Sequence, residues 1–430
     1  MPRKITPFLA VALFGLVSCA RSSAPTTPNK VVEMEALRIV AKHDEQGSYS
    51  FESYDAEELF QRANTELDAG RCREAVELYD RLAREFVGGR YHSAALYNAG
   101  LCLAQLEDKE GSLARFEALI AALPSSADFK HASFQAAHLQ VALARWEAAE
   151  RGATSLLARS DLDPSERLEA MATHAEALLG RKQLDAAERA AQQALTFYRT
   201  RPSELIPDPY YAGAANFVLA EVIRSRAELL AFPDTTQEEQ KAVLVKRAQL
   251  LLDAQREYFN TIRHTEAHWA SAAGHRIGAM YDKLWHDLMS APVPATLSEG
   301  AKELYPQELA KLIKPLLRHA IRYWELTLLM VERTGVRSEW GELTRRDLER
   351  TRSLLIEQPP GTGGLPPAST APAPVAKPPP APPAAPITPE PAGAIPSSVP
   401  LSPIAPAREP PASSTAPTLR EATPQRPPTP

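Results

Sequence analysis

The chain has 430 residues, and 48 Lys and Arg stand against 53 Asp and Glu, a formal net charge of −5. A balance that mixed excludes the basic footprint of a nucleic-acid binder, and 39 prolines crowded into a few stretches exclude one uniform globular domain. The length allows two or three domains. At the start, Arg3 and Lys4 precede an apolar run over residues 5–17. That run is too short to hold as a bilayer span, so residues 1–18 read as a signal segment removed on export.

The run ends in Leu16-Val17-Ser18-Cys19, which resembles the lipobox of bacterial lipoproteins. The resemblance implies that Cys19 is acylated and becomes the mature N-terminus. Several acyl chains anchor stably where one does not, so the chain is expected to sit on a membrane through its N-terminal lipid. No Asp follows the cysteine; Ala20 stands there. By analogy with enteric bacteria this favours the periplasmic face of the outer membrane, an oxidising compartment. The other reading is an ordinary secretory signal with an incidental cysteine. Residues 19–53 are then a lipidated polar spacer, with one short amphipathic or strand piece at 31–40.

Residues 54–200 carry four copies of one helical hairpin. Ala63, Gly100, Ala137 and Ala175 fall on one column, and Ala75, Ser112, Ala149 and Ala187 on a second. Tyr79, Phe116, Ala153 and Ala191 form a third; Leu82, Leu119, Leu156 and Ala194 form a fourth. The copies recur every 37 or 38 residues, a period that signals stacked repeats. Two helices of a hairpin approach closely only where both carry small side chains. Gly70 supplies the first turn between helices, and Pro124 closes the second copy. The pattern resembles the tetratricopeptide repeat in its small columns, its Tyr or Phe and its closing proline. Leu59, Leu96, Ser133 and Met171 stand where that family carries Trp, and Glu66 and Gln140 where it carries Tyr. The resemblance implies a right-handed all-α solenoid whose A helices line a groove that binds peptides or protein faces. Off the packing columns, Arg62, Asn98, Gln105, Gln135, His138 and His174 are the candidates to line it. They suit an extended or helical peptide offering carboxylate or carbonyl groups.

A second helical block covers residues 201–357, with helices expected at 210–230, 238–264, 268–289, 306–333 and 339–357. Breaks fall at Phe232-Pro233, at Ala291-Pro292-Val293-Pro294 and at Gly335, and Pro315 marks a kink. Gly278 with Tyr281 looks like a degenerate A helix, and Ala320 with Trp324 a degenerate B helix. The run from Trp269 through Arg276-Ile277-Gly278 to Trp340 resembles the C-terminal block of repeat-containing envelope proteins of deltaproteobacteria, a group that includes a lipoprotein of the myxobacterial gliding-motility machinery. The resemblance implies a role in periplasmic assembly. From residue 358 to 430 the chain is rich in Pro and Ala and has no aromatic residue, so it is expected to be disordered with polyproline II bias.

Catalytic and cofactor chemistry is not legible. His264, His268, His275 and His286 could form a stripe, but His264-Thr265-Glu266-Ala267-His268 is not the zincin spacing, and a break near Thr265 divides it. Gly361-Thr362-Gly363-Gly364 follows no strand and has no lysine, so no phosphate loop is present. No cofactor, metal site or enzymatic activity is expected. Cys72 and Cys102 are left open between a disulfide and two buried thiols. The sequence thus points to a lipid-anchored scaffold holding other envelope proteins. The alternative is a cell-wall factor or a regulator of an envelope enzyme, with the proline-rich tail touching or crossing peptidoglycan.

Overall fold

The computed structural model of the chain describes residues 36–43 and 49–357. It forms two compact units, divided in sequence between Glu58 and Leu59. The first carries a β-hairpin in which β1 (Arg38–His43) pairs antiparallel with β2 (Tyr49–Tyr54), Arg38 opposite Tyr54 and Ala41 opposite Phe51. Tyr49 and Phe51 on β2 alternate with Ser50 and Glu52, the two-residue period of a pleated strand. Ile39, Tyr49 and Phe51 are exposed. The rest of the described chain is all-α, as expected; residues 38–40 of the anticipated strand piece belong to β1, and β2 follows at the end of the spacer.

The helices follow as α1 (Ala56–Asp68), which crosses the boundary between the units, α2 (Cys72–Glu85), α3 (His92–Gln105), α4 (Lys109–Ala122), α5 (Phe129–Ala142), α6 (Trp146–Leu157), α7 (Pro164–Gly180) and α8 (Leu184–Arg199). Each helix from α2 onward packs on the next. Every residue of the four columns is buried, and Ala75, Ala149 and Ala187 are fully so. Close approach is the reason. A Cβ on Gly100 would stand 2.7 Å from Phe116 Cζ across the α3–α4 contact. Ser112 sits in the same contact and satisfies its buried hydroxyl by donating to the Gly100 carbonyl at 2.7 Å.

The turns repeat as faithfully as the columns. Gly70, Glu107, Ala144 and Lys182 all adopt positive φ, between 54° and 73°. After each, a backbone N–H reaches back six residues inclusive to an orphan carbonyl: Arg71 to Glu66, Asp108 to Leu103, Arg145 to Gln140 and Gln183 to Leu178. That closes the A helix in the left-handed manner usually given to glycine. Only the first copy has the glycine; the other three hold a side chain there against a penalty of about 1–2 kcal/mol. Pro164 begins α7 behind Asp163, whose side chain accepts from Glu166 N–H at 2.8 Å while Glu166 reaches back to the Asp163 N–H, a capping box.

A short 3-10 turn (Ser203–Leu205) leads to α9 (Tyr210–Glu228), α10 (Gln237–Arg263), α11 (Ala267–Met289), α12 (Glu299–Thr334) and α13 (Glu339–Glu357). The α12 helix starts seven residues before the expected Pro306, behind Ser298, and carries Pro306 and Pro315 inside it. Gly335 at φ 67° ends it. The degenerate A and B helices pair in space. Gly278 lies under the fully buried Trp324 ring, and Gly274 under Thr327, so α11 and α12 meet without room for a Cβ at either glycine. Trp324 Nε1 donates to the His275 carbonyl at 3.0 Å. The main core of this block gathers Phe217, Leu251, Tyr258, Trp269, Ile277, Leu284 and Leu317. Among the described residues no helix is long and apolar enough to cross a membrane. The fold is a tetratricopeptide-like stack of helical hairpins.

Candidate protein-docking groove

The A helices touch one another as well as their B partners: α5 packs on α7, α7 on α9, and α9 on α11. That places one face of each A helix in a shared row. On α5 the spacing of His131, Gln135 and His138 puts them on one face. On α7 the same holds for Glu166, Glu169, Thr173 and Glu176. Lys130 pairs with Glu166 at 2.6 Å. His138 Nε2 stands 3.2 Å from Glu169 Oε1 and 3.4 Å from the Tyr211 hydroxyl of α9, with the two rings stacked. One imidazole therefore joins three successive A helices. Tyr210 continues the row, edge-on to Tyr211 and 5.7 Å from the Trp269 ring of α11.

The electrostatics of this face are set by burial. Desolvation lowers the His138 pKa to about 4, so the ring is neutral at pH 7 and joins the helices as a hydrogen-bonding group. Desolvation raises the Glu176 carboxyl to about 7 and also raises the Tyr210 hydroxyl, helped by the charge of Glu176. The row thus mixes aromatic rings with polar and acidic groups, and the Lys130–Glu166 ion pair lies at its α5–α7 end.

The groove candidates separate in the structure. His138 and Gln135 share the α5 inner face, Gln135 half-buried. Arg62 is exposed on α1 and Gln105 at the end of α3; Gln105 accepts from Cys72 Sγ at 2.9 Å. Asn98 does not line a groove. It is fully buried and its amide donates to the Tyr79 hydroxyl at 3.4 Å, because the residue beside a packing column on a tightly wedged helix turns inward. His174 stands five residues from Glu169, about 140° round the helix at 3.6 residues per turn. It is half-buried, and the charge of Glu150 on α6 acts on it, which places it toward the preceding hairpin. Glu169, Glu176, Tyr210 and Tyr211 were missed. Only their spacing on α7 and at the start of α9 hinted at them, and the pairing with α5 comes from the stack.

The remaining candidates resolve as follows. Cys72 and Cys102 are free, buried thiols. Burial, with the neighbouring Cys72 adding to it, pushes the Cys102 thiol well up. The four histidines each have a separate partner: His264 takes Asn216, His268 lies against Trp269, His275 takes Asp347, and His286 takes the Asp282 carbonyl. The break at Thr265 falls between α10 and α11. Among the described residues no three His, Cys, Asp or Glu are grouped to hold a metal ion. A second cleft, about 400 Å³, opens between α4 and α6 over α5. Gln140 lines it and donates to Glu117 at 3.1 Å, while its own Oε1 is buried without a partner. Cys19, the signal segment and residues 358–430 lie outside the described residues.

No family profile matches the chain, and no curated protein matches it. Solved structures do. A tetratricopeptide repeat protein from Parabacteroides merdae matches at 14% identity over 69% of this chain and 98% of its own, with a TM-score of 0.36. MamA from Desulfovibrio magneticus matches at 17% identity over 45% of this chain and 94% of its own, TM-score 0.32. A kinesin light chain of Podospora anserina with tetratricopeptide-like repeats matches at 14% over 46% and 96%, TM-score 0.32.

Proposed function

We propose that this chain is a protein-binding scaffold, tethered to the outer membrane through an acylated Cys19, that holds partners of a bacterial envelope complex on the inner face of its A helices. The observation that carries the reading is the continuous row from Lys130 and Gln135 through His138, Glu169 and Tyr211 to Tyr210. The stack itself creates that surface, and no single hairpin could. Aromatic rings with hydroxyls and half-buried amides provide both area and hydrogen bonds at low ordering cost, the make-up of protein recognition surfaces. The resemblance of Leu16-Val17-Ser18-Cys19 to a lipobox supports the tether, and the signal-like composition of residues 1–18 supports the periplasmic setting. The test is co-purification of the full chain from solubilised membranes. Changing Lys130 and Gln135 together to Ala should remove bound protein while far-UV circular dichroism stays that of the wild type. A variant that keeps every partner at wild-type yield would overturn the groove reading.

A further inference from the structure

A cleft of about 180 Å³ opens between α10 and α12, floored by α11 and lined by Leu252, Gln255, Met280, Tyr281, Leu284 and Leu316. No charged side chain lines it. Its α10 edge carries Val245, Leu252 and Phe259, seven residues apart and 62%, 56% and 38% exposed. Its α12 edge carries Leu312, 77% exposed. Tyr281 of the lining belongs to a ladder of aromatic rings beside the cleft. Phe259 lies 6.3 Å from Tyr323, Tyr323 stacks parallel on Tyr281 at 5.8 Å, and Tyr281 stacks on His319 at 5.3 Å. Gln255 holds both tyrosines: its amide donates to the Tyr323 hydroxyl at 2.7 Å, and its carbonyl accepts from Tyr281 at 3.1 Å. A contiguous run of exposed apolar side chains along one groove marks an interaction site.

We propose that residues 395–406 of the same chain dock in this cleft as a polyproline II helix. Three features select that segment. Pro400, Pro403 and Pro406 recur every three residues, so they fall on one edge of a helix with three residues per turn; Leu401 and Ile404 share the next edge. Four of the eight Leu, Ile and Val residues of the stretch 358–430 lie within 395–404, and residues 395–406 carry no charge, like the cleft. An aromatic-walled groove is the surface that proline-rich segments recognise, because the extended helix is already ordered and its carbonyls face outward. The aliphatic edge fills the cleft over Met280 and Leu284, and the proline edge lies on the Tyr281 and Tyr323 rings.

The reach is sufficient. Thr351 of α13 donates to Asp282 of α11 at 2.9 Å, and Leu355 packs on the core that holds Leu284 and Leu288. The last turns of α13 thus lie against the same stretch of α11 that floors the cleft. A connecting stretch of about 37 residues, rich in proline, can extend to about 3.1 Å per residue and so reach up to roughly 115 Å. Such a tether makes docking intramolecular, so a weak contact suffices.

The experiment uses the full chain with the photoreactive p-benzoylphenylalanine in place of Leu401, irradiated at high dilution and mapped by mass spectrometry. The expected result is an intramolecular crosslink to the peptides around Leu252, Met280 and Leu316. Leu252→Glu should cut its yield at least five-fold with circular dichroism unchanged. Should Leu252→Glu disturb the fold, Leu312→Glu on the opposite edge gives the same reading from a more exposed site. Crosslinks scattered over the surface, a yield that survives both glutamates, crosslinked dimers, or no crosslink at all would each overturn the proposal; dimers would assign the cleft to a second copy.

Discussion

Gly100→Ala adds one methyl group at the tightest contact of the repeat stack, and Gly152→Ala adds the same group where there is room. Both glycines are inside helices, α3 and α6. In each case alanine favours the helix by about 0.5–1 kcal/mol, because the unfolded chain loses backbone freedom. The difference lies in what the new Cβ meets. At Gly152 its neighbours are Gln140 Oε1 at 3.5 Å and Ala137 Cβ at 3.6 Å, ordinary contacts. At Gly100 they are three carbons of the Phe116 ring at 2.7–3.0 Å, nearly an ångström inside contact distance. Phe116 is fully buried between α3 and α4, so its ring cannot swing clear without moving a helix, and overpacking of that kind costs about 1–3 kcal/mol. Gly152→Ala should therefore raise stability by about 0.5–1 kcal/mol, and Gly100→Ala should lower it by up to about 2 kcal/mol once the helical gain is deducted. Gly100→Leu should lower it further, whereas Glu66→Leu, which gives up only a solvent-facing ion pair with Arg71, should change little. Urea denaturation followed by circular dichroism measures all four. Phe116→Leu should rescue Gly100→Ala, since the pair shares one space. If Gly100→Ala proved as stable as Gly152→Ala, the close-packed column would not be what sets the register.

Four further outcomes are expected. The folded Glu176 pKa of about 7 lies above its ordinary 4.5, so its contribution to stability is complete below about pH 4.5 and is lost as pH rises through about 7; Glu176→Gln should flatten the urea midpoint over that window, and an unchanged slope would refute the assignment. The folded His138 pKa of about 4 lies below its ordinary 6.5, so its contribution is present above about pH 6.5 and is lost as pH falls through about 4; His138→Gln should keep more of its stability in acid, read from the same midpoints. Cys72 and Cys102 should close to a disulfide when the thiols are offered an oxidised thiol reagent, with loss of two hydrogens by mass, and Cys72→Ser should leave Cys102 unmodified in the folded chain because that thiol is buried. Cys19→Ser should abolish acyl labelling, and acylation that persists would remove the lipobox reading.

The packing of the stack was legible in the sequence because small residues recur. Ala63, Gly100, Ala137 and Ala175 have no reason to align except a helix–helix contact, and all are buried. The A-helix turns were legible once, at Gly70. They were hidden at Glu107, Ala144 and Lys182, where ordinary residues hold a left-handed backbone that only the returning N–H bonds make tolerable. The β-hairpin was half-visible, because Phe51 and Tyr49 sit in a stretch whose polar composition suggests a spacer. The early start of α12 was hidden by Pro306, which marks helix starts more often than helix interiors. The groove was the hardest part. His138 meets Tyr211 across 73 positions of sequence, and no period relates them. Asn98 was misplaced for a related reason: spacing gives the face of a helix, but the depth of the next helix decides whether that face sees water.

The contacts of the stack run from each hairpin to its neighbours, and this has a mechanical consequence. A pull along the chain loads the helix pairs in series, with no long cross-brace within residues 59–200 to share the force. A terminal hairpin can therefore peel away while the rest stays folded. Each released copy of 37 or 38 residues adds roughly 120 Å of extended chain. On the tether proposed above, with a partner holding the other end, the stack would behave as a strap that lengthens in discrete steps, and the Phe116 wedge against Gly100 would help set the force at which one of those steps occurs.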